Sequence, residues 1–151
     1  MRTKRTMKPV EPLPPTNESL PIVLLRAREV VMAPIRNMLL QSDVTEQQWR
    51  ILRVLSEYGP MDASSVAERA CLLVPSLTRI ATNMRERGLI TQAQAQNDRR
   101  RQTLSITAAG QRIIDENQSA AHEIVQKYKT RLGEKNYQQL LRLLAQLSQE
   151  K

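Results

Sequence analysis

Met61–Ile90 reads MDASSVAERACLLVPSLTRIATNMRERGLI. Asp62 or Ser64 is placed to cap a short helix carrying Val66, Ala67 and Ala70, because a short oxygen-bearing side chain satisfies the open N–H groups of a first turn. Cys71–Val74 is then a tight connection, with Cys71 read as a small core residue. Pro75 stands where a first helical turn tolerates proline. Leu77, Ile80, Ala81 and Met84 fall on one side of the second helix, and Gly88 ends it. Two short helices joined by a few residues, the second rich in Ser, Thr, Arg and Asn outside its apolar stripe, form a helix-turn-helix pattern.

The residues that follow sharpen this reading. Leu89-Ile90-Thr91 and Thr103-Leu104-Ser105-Ile106 are short strand candidates. Between them QAQAQNDRRR has no apolar anchor beyond two alanines, and Asn-Asp favours a turn. A hairpin with an arginine-tipped loop after two such helices predicts the wing of a winged helix, suited to a minor groove of negative potential. An ordinary surface hairpin is the plainer alternative. Residues 64–107 carry seven bases, all arginine, against three acids, the largest local excess in a chain of net charge +8. Arginine's planar fork suits phosphates and guanine edges. A solvated basic face is the other reading of that charge.

Upstream, Thr45 with Gln48 has the spacing of a capping box. It opens a helix whose core side holds Trp49, Leu52, Val54 and Leu55, stopped by Gly59-Pro60. A first helix is predicted from near Ser19, with Leu24, Ala27, Val31, Ile35 and Met38 at helical spacing. Pro34 inside it is expected to kink or break it. Residues 1–19 are basic and Pro-rich and read as a flexible tail. Thr107 caps a long helix, and Gly133-Glu134 opens a last one with a strong stripe at Tyr137, Leu140, Leu141, Leu144 and Leu147. The organisation expected is a tail over 1–19, a helical dimerisation region from 20–43 and 108–151, and a winged helix-turn-helix over 44–107. The fold class is mainly α with a small β-hairpin wing. Burying apolar helices at both ends of the chain is simplest against each other and a second copy. A symmetric dimer also sets two reading heads on one duplex.

The composition bounds the alternatives. No apolar run approaches a membrane span, and Pro-rich sequence instead of an apolar stretch follows the basic N-terminus. One cysteine rules out a disulfide framework within the chain and, with no targeting signal, suggests the cytoplasm. A single histidine makes a zinc site or a Ser-His relay poor expectations. There is no Gly-rich phosphate loop, so no catalytic residue, metal or cofactor is assigned.

VTEQQWRILRVL, SSVAERACLLVPSLTRIATNMRERGLI and NDRRRQTLSITAAG together resemble the MarR family of winged-helix transcriptional regulators. Asp98 and Arg100 match the family's Asp-x-Arg wing signature, followed by Ile106-Thr107-x-x-Gly110. The opening LPIVLLRAREVVMAPIR looks more particularly like regulators of homoprotocatechuate (4-hydroxyphenylacetate) degradation operons. The resemblance implies a homodimeric repressor of an aromatic-acid catabolic operon. It binds a palindromic site on double-stranded DNA and is released by a small phenolic or aromatic carboxylate. The recognition helix would run from Pro75 to about Arg87, with Ser76, Thr78, Arg79 and Asn83 toward the DNA. Arg100 would enter the minor groove, oriented by Asp98, and Arg99 and Arg101 would serve phosphates. Effector candidates are Arg26 and Arg28, about 200° apart on a helix, with Ser42, Thr45 and Trp49. Thr45 is alternatively a cap, and Trp49 a core residue. Two further readings stay open: a redox-responsive repressor using Cys71, and a constitutive architectural DNA-binding protein.

Overall fold

The computed structural model describes residues 9–95 and 97–149; of Ala95 and Asp98–Arg100 it describes the backbone alone. The elements in chain order are α1 (Leu20–Leu39), a single 3-10 turn (Leu40–Ser42), α2 (Glu46–Tyr58), β1 (Met61–Asp62), α3 (Ala63–Arg69), α4 (Val74–Glu86), β2 (Ile90–Ala95), β3 (Asp98–Ile106), α5 (Ala108–Leu132) and α6 (Glu134–Ser148). The chain divides into two compact units, Met1–Ala33 and Pro34–Lys151. In the first, the described residues before α1 have no regular secondary structure apart from a turn, and nearly every position is exposed. α1 does not end at Pro34, although the ring removes one backbone donor there.

The second unit has one apolar core. Ile51, Leu52, Leu55, Val66, Leu77, Met84 and Ile90 are all but sealed from solvent. They come from α2, α3, α4 and β2, so one buried cluster fixes the helix-turn-helix against the base of the hairpin. Each such side chain contributes roughly 1.5–3 kcal/mol of burial. Local chemistry sets the helix ends. Thr45 and Gln48 form the reciprocal capping box, each backbone N–H donating to the other's side-chain oxygen at 3.1 Å. The Ser65 N–H donates to Asp62 Oδ1 at 2.8 Å. Thr107 caps α5 by accepting from the Gly110 N–H, and its own hydroxyl donates to the Gly88 carbonyl at 2.6 Å.

The sheet has the order β1-β3-β2, all antiparallel. Its base is in register from Ile90↔Ile106 to Gln94↔Gln102, after which the pairing shifts to Ala95↔Asp98. This corrects the expected long polar loop. Without Gly or Pro to stop them, the strands run almost to the tip, and Arg99–Arg101 fall in the irregular part of β3. β1 was not expected, because two residues are too short for any periodicity. Cys71 is also corrected. It is exposed, with φ 53° at the turn between α3 and α4, since a chain reversal in the left-handed region points the side chain away from the core.

Candidate nucleic-acid interface and helix cleft

α4 is the centre of the first candidate site. Leu77, Ile80, Ala81 and Met84 are buried, so helical periodicity turns Thr78, Arg79, Thr82, Asn83 and Arg85 outward, and all five are exposed. Ser76 is half-buried on its first turn. Thr78 and Thr82 donate their hydroxyls to the carbonyls of Val74 and Thr78, each at 3.0 Å. Asn83 accepts from Gln48 Nε2 at 3.0 Å, so its carbonyl holds α2 as well as facing solvent. Arg85, not singled out from the sequence, donates to Gln92 Oε1 on β2 and to Thr82 at 3.4 Å. It thereby ties the outer face of α4 to the hairpin. Its seven-residue separation from Gln92 across a turn leaves no periodic signal.

In the hairpin, the side chains of Asp98, Arg99 and Arg100 lie outside the described residues. Arg101 is exposed. The Asp62 carboxyl is held below the usual carboxylate range, chiefly by its hydrogen bonds from Ser65, with a smaller attraction from Arg101. The exposed outer face of α4 and the basic strand β3 thus belong to one unit, as a groove-reading surface requires.

The second candidate site is an open cleft of about 510 Å³ between α2 and α5, within the usual range of ligand pockets, roughly 300–1,000 Å³. Trp49 and Arg53, one helical turn apart, line it from α2. Ile114, Asp115, His122 and Val125 line it from α5. Its polar rim is organised: Ser56 donates to Gln111 Oε1 at 3.0 Å, and Gln111 donates to Asp115 Oδ1 at 3.0 Å. Arg53 forms no ion pair among the described residues, although Glu57 and Asp115 share its cleft. Trp49 is mostly buried, so it serves core and cleft together.

The other effector candidates fall elsewhere. Ser42 accepts from Asn117 Nδ2 at 2.7 Å, Thr45 is the cap of α2, and neither lines the cleft. Arg26 and Arg28 are exposed on α1 in the first unit. Sequence reading missed Arg53. Its signal was the four-residue spacing from Trp49, with Arg53 on the outward side of an amphipathic helix. Among the described residues, no group of three or more His, Cys, Asp and Glu is placed to hold a metal. Nor, among them, is any helix long and apolar enough to cross a membrane.

A model of the MarR family matches residues 44–101. The HTH-type transcriptional regulator FarR of Neisseria gonorrhoeae is 38% identical over 130 residues, covering 86% of this chain and 89% of the regulator. The homoprotocatechuate degradative operon repressor of Escherichia coli is 39% identical over 128 residues, covering 85% and 86%. A crystal structure of NadR in complex with 4-hydroxyphenylacetate superposes with a TM-score of 0.81 at 36% identity, covering 93% of this chain and 100% of that one.

Proposed function

Since the chain belongs to the MarR family of transcriptional regulators, we propose that it is a homodimeric repressor of an aromatic-acid catabolic operon, released from DNA by a phenolic carboxylate. It acts in the cytoplasm and carries out no catalytic step. α4 enters the major groove with Ser76, Thr78, Arg79 and Asn83. β3 brings Arg99, Arg100 and Arg101 to the adjoining backbone and minor groove, Asp98 orienting the wing. The second copy supplies the second half-site reader, a helical turn away on the duplex. Phosphate neutralisation releases counterions, so affinity falls steeply with salt.

The observation that carries the effector reading is Arg53 beside Trp49 in the α2/α5 cleft, with no ion pair of its own among the described residues. An arylacetate places its carboxylate on the guanidinium and its ring against the indole. Asp115 and Glu57 offer acceptors for a phenolic O–H. NadR was crystallised with 4-hydroxyphenylacetate, which makes that compound the first probe. Because the cleft is walled by a helix of the reading unit and by α5, an occupant favours one relative setting of the two, and with it one spacing of the reading heads.

The test is calorimetric titration of the protein with 4-hydroxyphenylacetate, with phenylethanol as the uncharged control. Binding of the acid alone is expected, weakened at least about 10-fold by Arg53→Gln, the scale of a lost charge-assisted hydrogen bond. Equal affinity of the variant rejects Arg53 as the carboxylate partner.

A further inference from the structure

We propose that the four residues Ser42–Thr45 are the joint through which occupancy of the α2/α5 cleft reaches the recognition helix, with Asn117 and Gln48 as its positioning residues. The proposal rests on the functional reading above and names how that site is coupled to DNA.

Among the described residues, Gln48 and Asn117 are the buried polar side chains. A buried amide is costly unless its hydrogen bonds are met, and both spend theirs on this joint. From α5, Asn117 Nδ2 donates to Ser42 Oγ at 2.7 Å while anchored to the Ile113 carbonyl at 2.8 Å. From α2, Gln48 Oε1 accepts the Thr45 N–H at 3.1 Å. From the end of α4, Arg87 Nη2 donates to the Asp43 carbonyl at 2.7 Å, and its Nη1 to Gln48 Oε1 at 3.3 Å. Gln48 Nε2 closes the circuit on Asn83 of α4 at 3.0 Å. Asp43 itself sits at φ 51° as the C-cap of the 3-10 turn, in the left-handed region that, glycine aside, asparagine and aspartate adopt most readily.

The joint is therefore gripped by three helices at once. Two of them wall the cleft: Gln48 precedes Trp49 on α2, and Asn117 lies between Asp115 and Gln118 on α5. A ligand that shifts α5 against α2 pulls on Ser42. The pull passes through Asp43 and Thr45 to Arg87 and Asn83 by hydrogen bonds, each with one geometry. An apolar side chain at Gln48 or Asn117 would leave these partners without their hydrogen bonds. The polar network adds a defined register.

The experiment compares wild type, Ser42→Ala, Ser42→Thr and Asn117→Leu. Calorimetry gives the affinity for 4-hydroxyphenylacetate without DNA. Anisotropy gives the affinity for DNA from upstream of the protein's own gene, with and without the compound. Ser42→Ala is expected to bind compound and DNA within about 2-fold of wild type, while the factor by which the compound weakens DNA binding falls at least about 5-fold. Ser42→Thr restores the hydroxyl and the factor. Asn117→Leu repeats the loss, and if it does not fold, Ser42→Ala decides alone. Undiminished release by Ser42→Ala overturns the joint and leaves the functional reading standing. Weakened affinity for the compound itself makes Ser42 a ligand contact and likewise overturns the joint. A wild-type protein that neither binds the compound nor is released by it overturns the functional reading and this inference with it.

Discussion

α4 and α6 are both amphipathic helices with an apolar stripe at helical spacing, yet they end in opposite states. α4 buries Leu77, Ile80, Ala81 and Met84 within its own unit. α6 buries nothing: Leu140, Leu141, Leu143 and Leu147 are 42–59% exposed. The stripe of α4 is satisfied by the chain that carries it, whereas that of α6 is left exposed, and in the proposed dimer a second copy would cover it. Hydrophobic pattern marks a face that seeks burial, and only the three-dimensional arrangement says whether the partner lies in the same chain.

The largest effect is expected where the comparison is boldest. Leu141→Glu with Leu147→Glu places two carboxylates in the exposed face that the proposed dimer would bury. It should yield folded monomers in sedimentation velocity and weaken operator binding by at least about 100-fold, since each buried leucine contributes roughly 1.5–3 kcal/mol. A folded double variant that keeps full dimer mass would show that α6 is not the face a second copy covers. On the filled side, a Cβ at Gly110 would collide with the Leu89 carbonyl and approach Ile106 Cγ1 to 2.8 Å. Gly110→Ala should therefore cost about 2–3 kcal/mol of unfolding free energy in urea titrations, whatever the state of α6. The smallest effect is at the rim of that core. The depressed Asp62 carboxyl contributes stability above its unfolded value, near pH 4, and loses it as pH falls through its folded value. Asp62→Asn keeps an oxygen for the Ser65 N–H, so at pH 7 it should change stability by under about 0.5 kcal/mol. The decline in stability below about pH 5 should become shallower.

What could be read from the sequence was local. The capping box at Thr45 and Gln48 and the Thr107 cap of α5 each involve residues three apart and appear as expected, and of the two caps read for α3 the chain uses Asp62. What escaped depends on chain brought together from afar. The strands continued into QAQAQ because partners across the hairpin, not β-forming side chains, hold them. Cys71 is exposed because its backbone is left-handed, which no neighbouring glycine announced. Arg53 and His122 share a cleft although 69 positions separate them, and Gln48 looked like a cap residue alone until Asn83 and Arg87 were found bonded to it. Trp49 was legible as a core residue and is buried, and it also lines the cleft.

In the proposed mechanism, occupancy of the α2/α5 cleft frees the DNA. The most direct measurement is fluorescence anisotropy of a labelled duplex from upstream of the protein's own gene, at fixed salt, titrated with 4-hydroxyphenylacetate and with benzoate as control. The hydroxylated phenylacetate is expected to release a tightly bound duplex that benzoate leaves bound, and Arg53→Gln is expected to need at least about 10-fold more compound for the same release. Tight binding that no concentration of the compound relieves would contradict it.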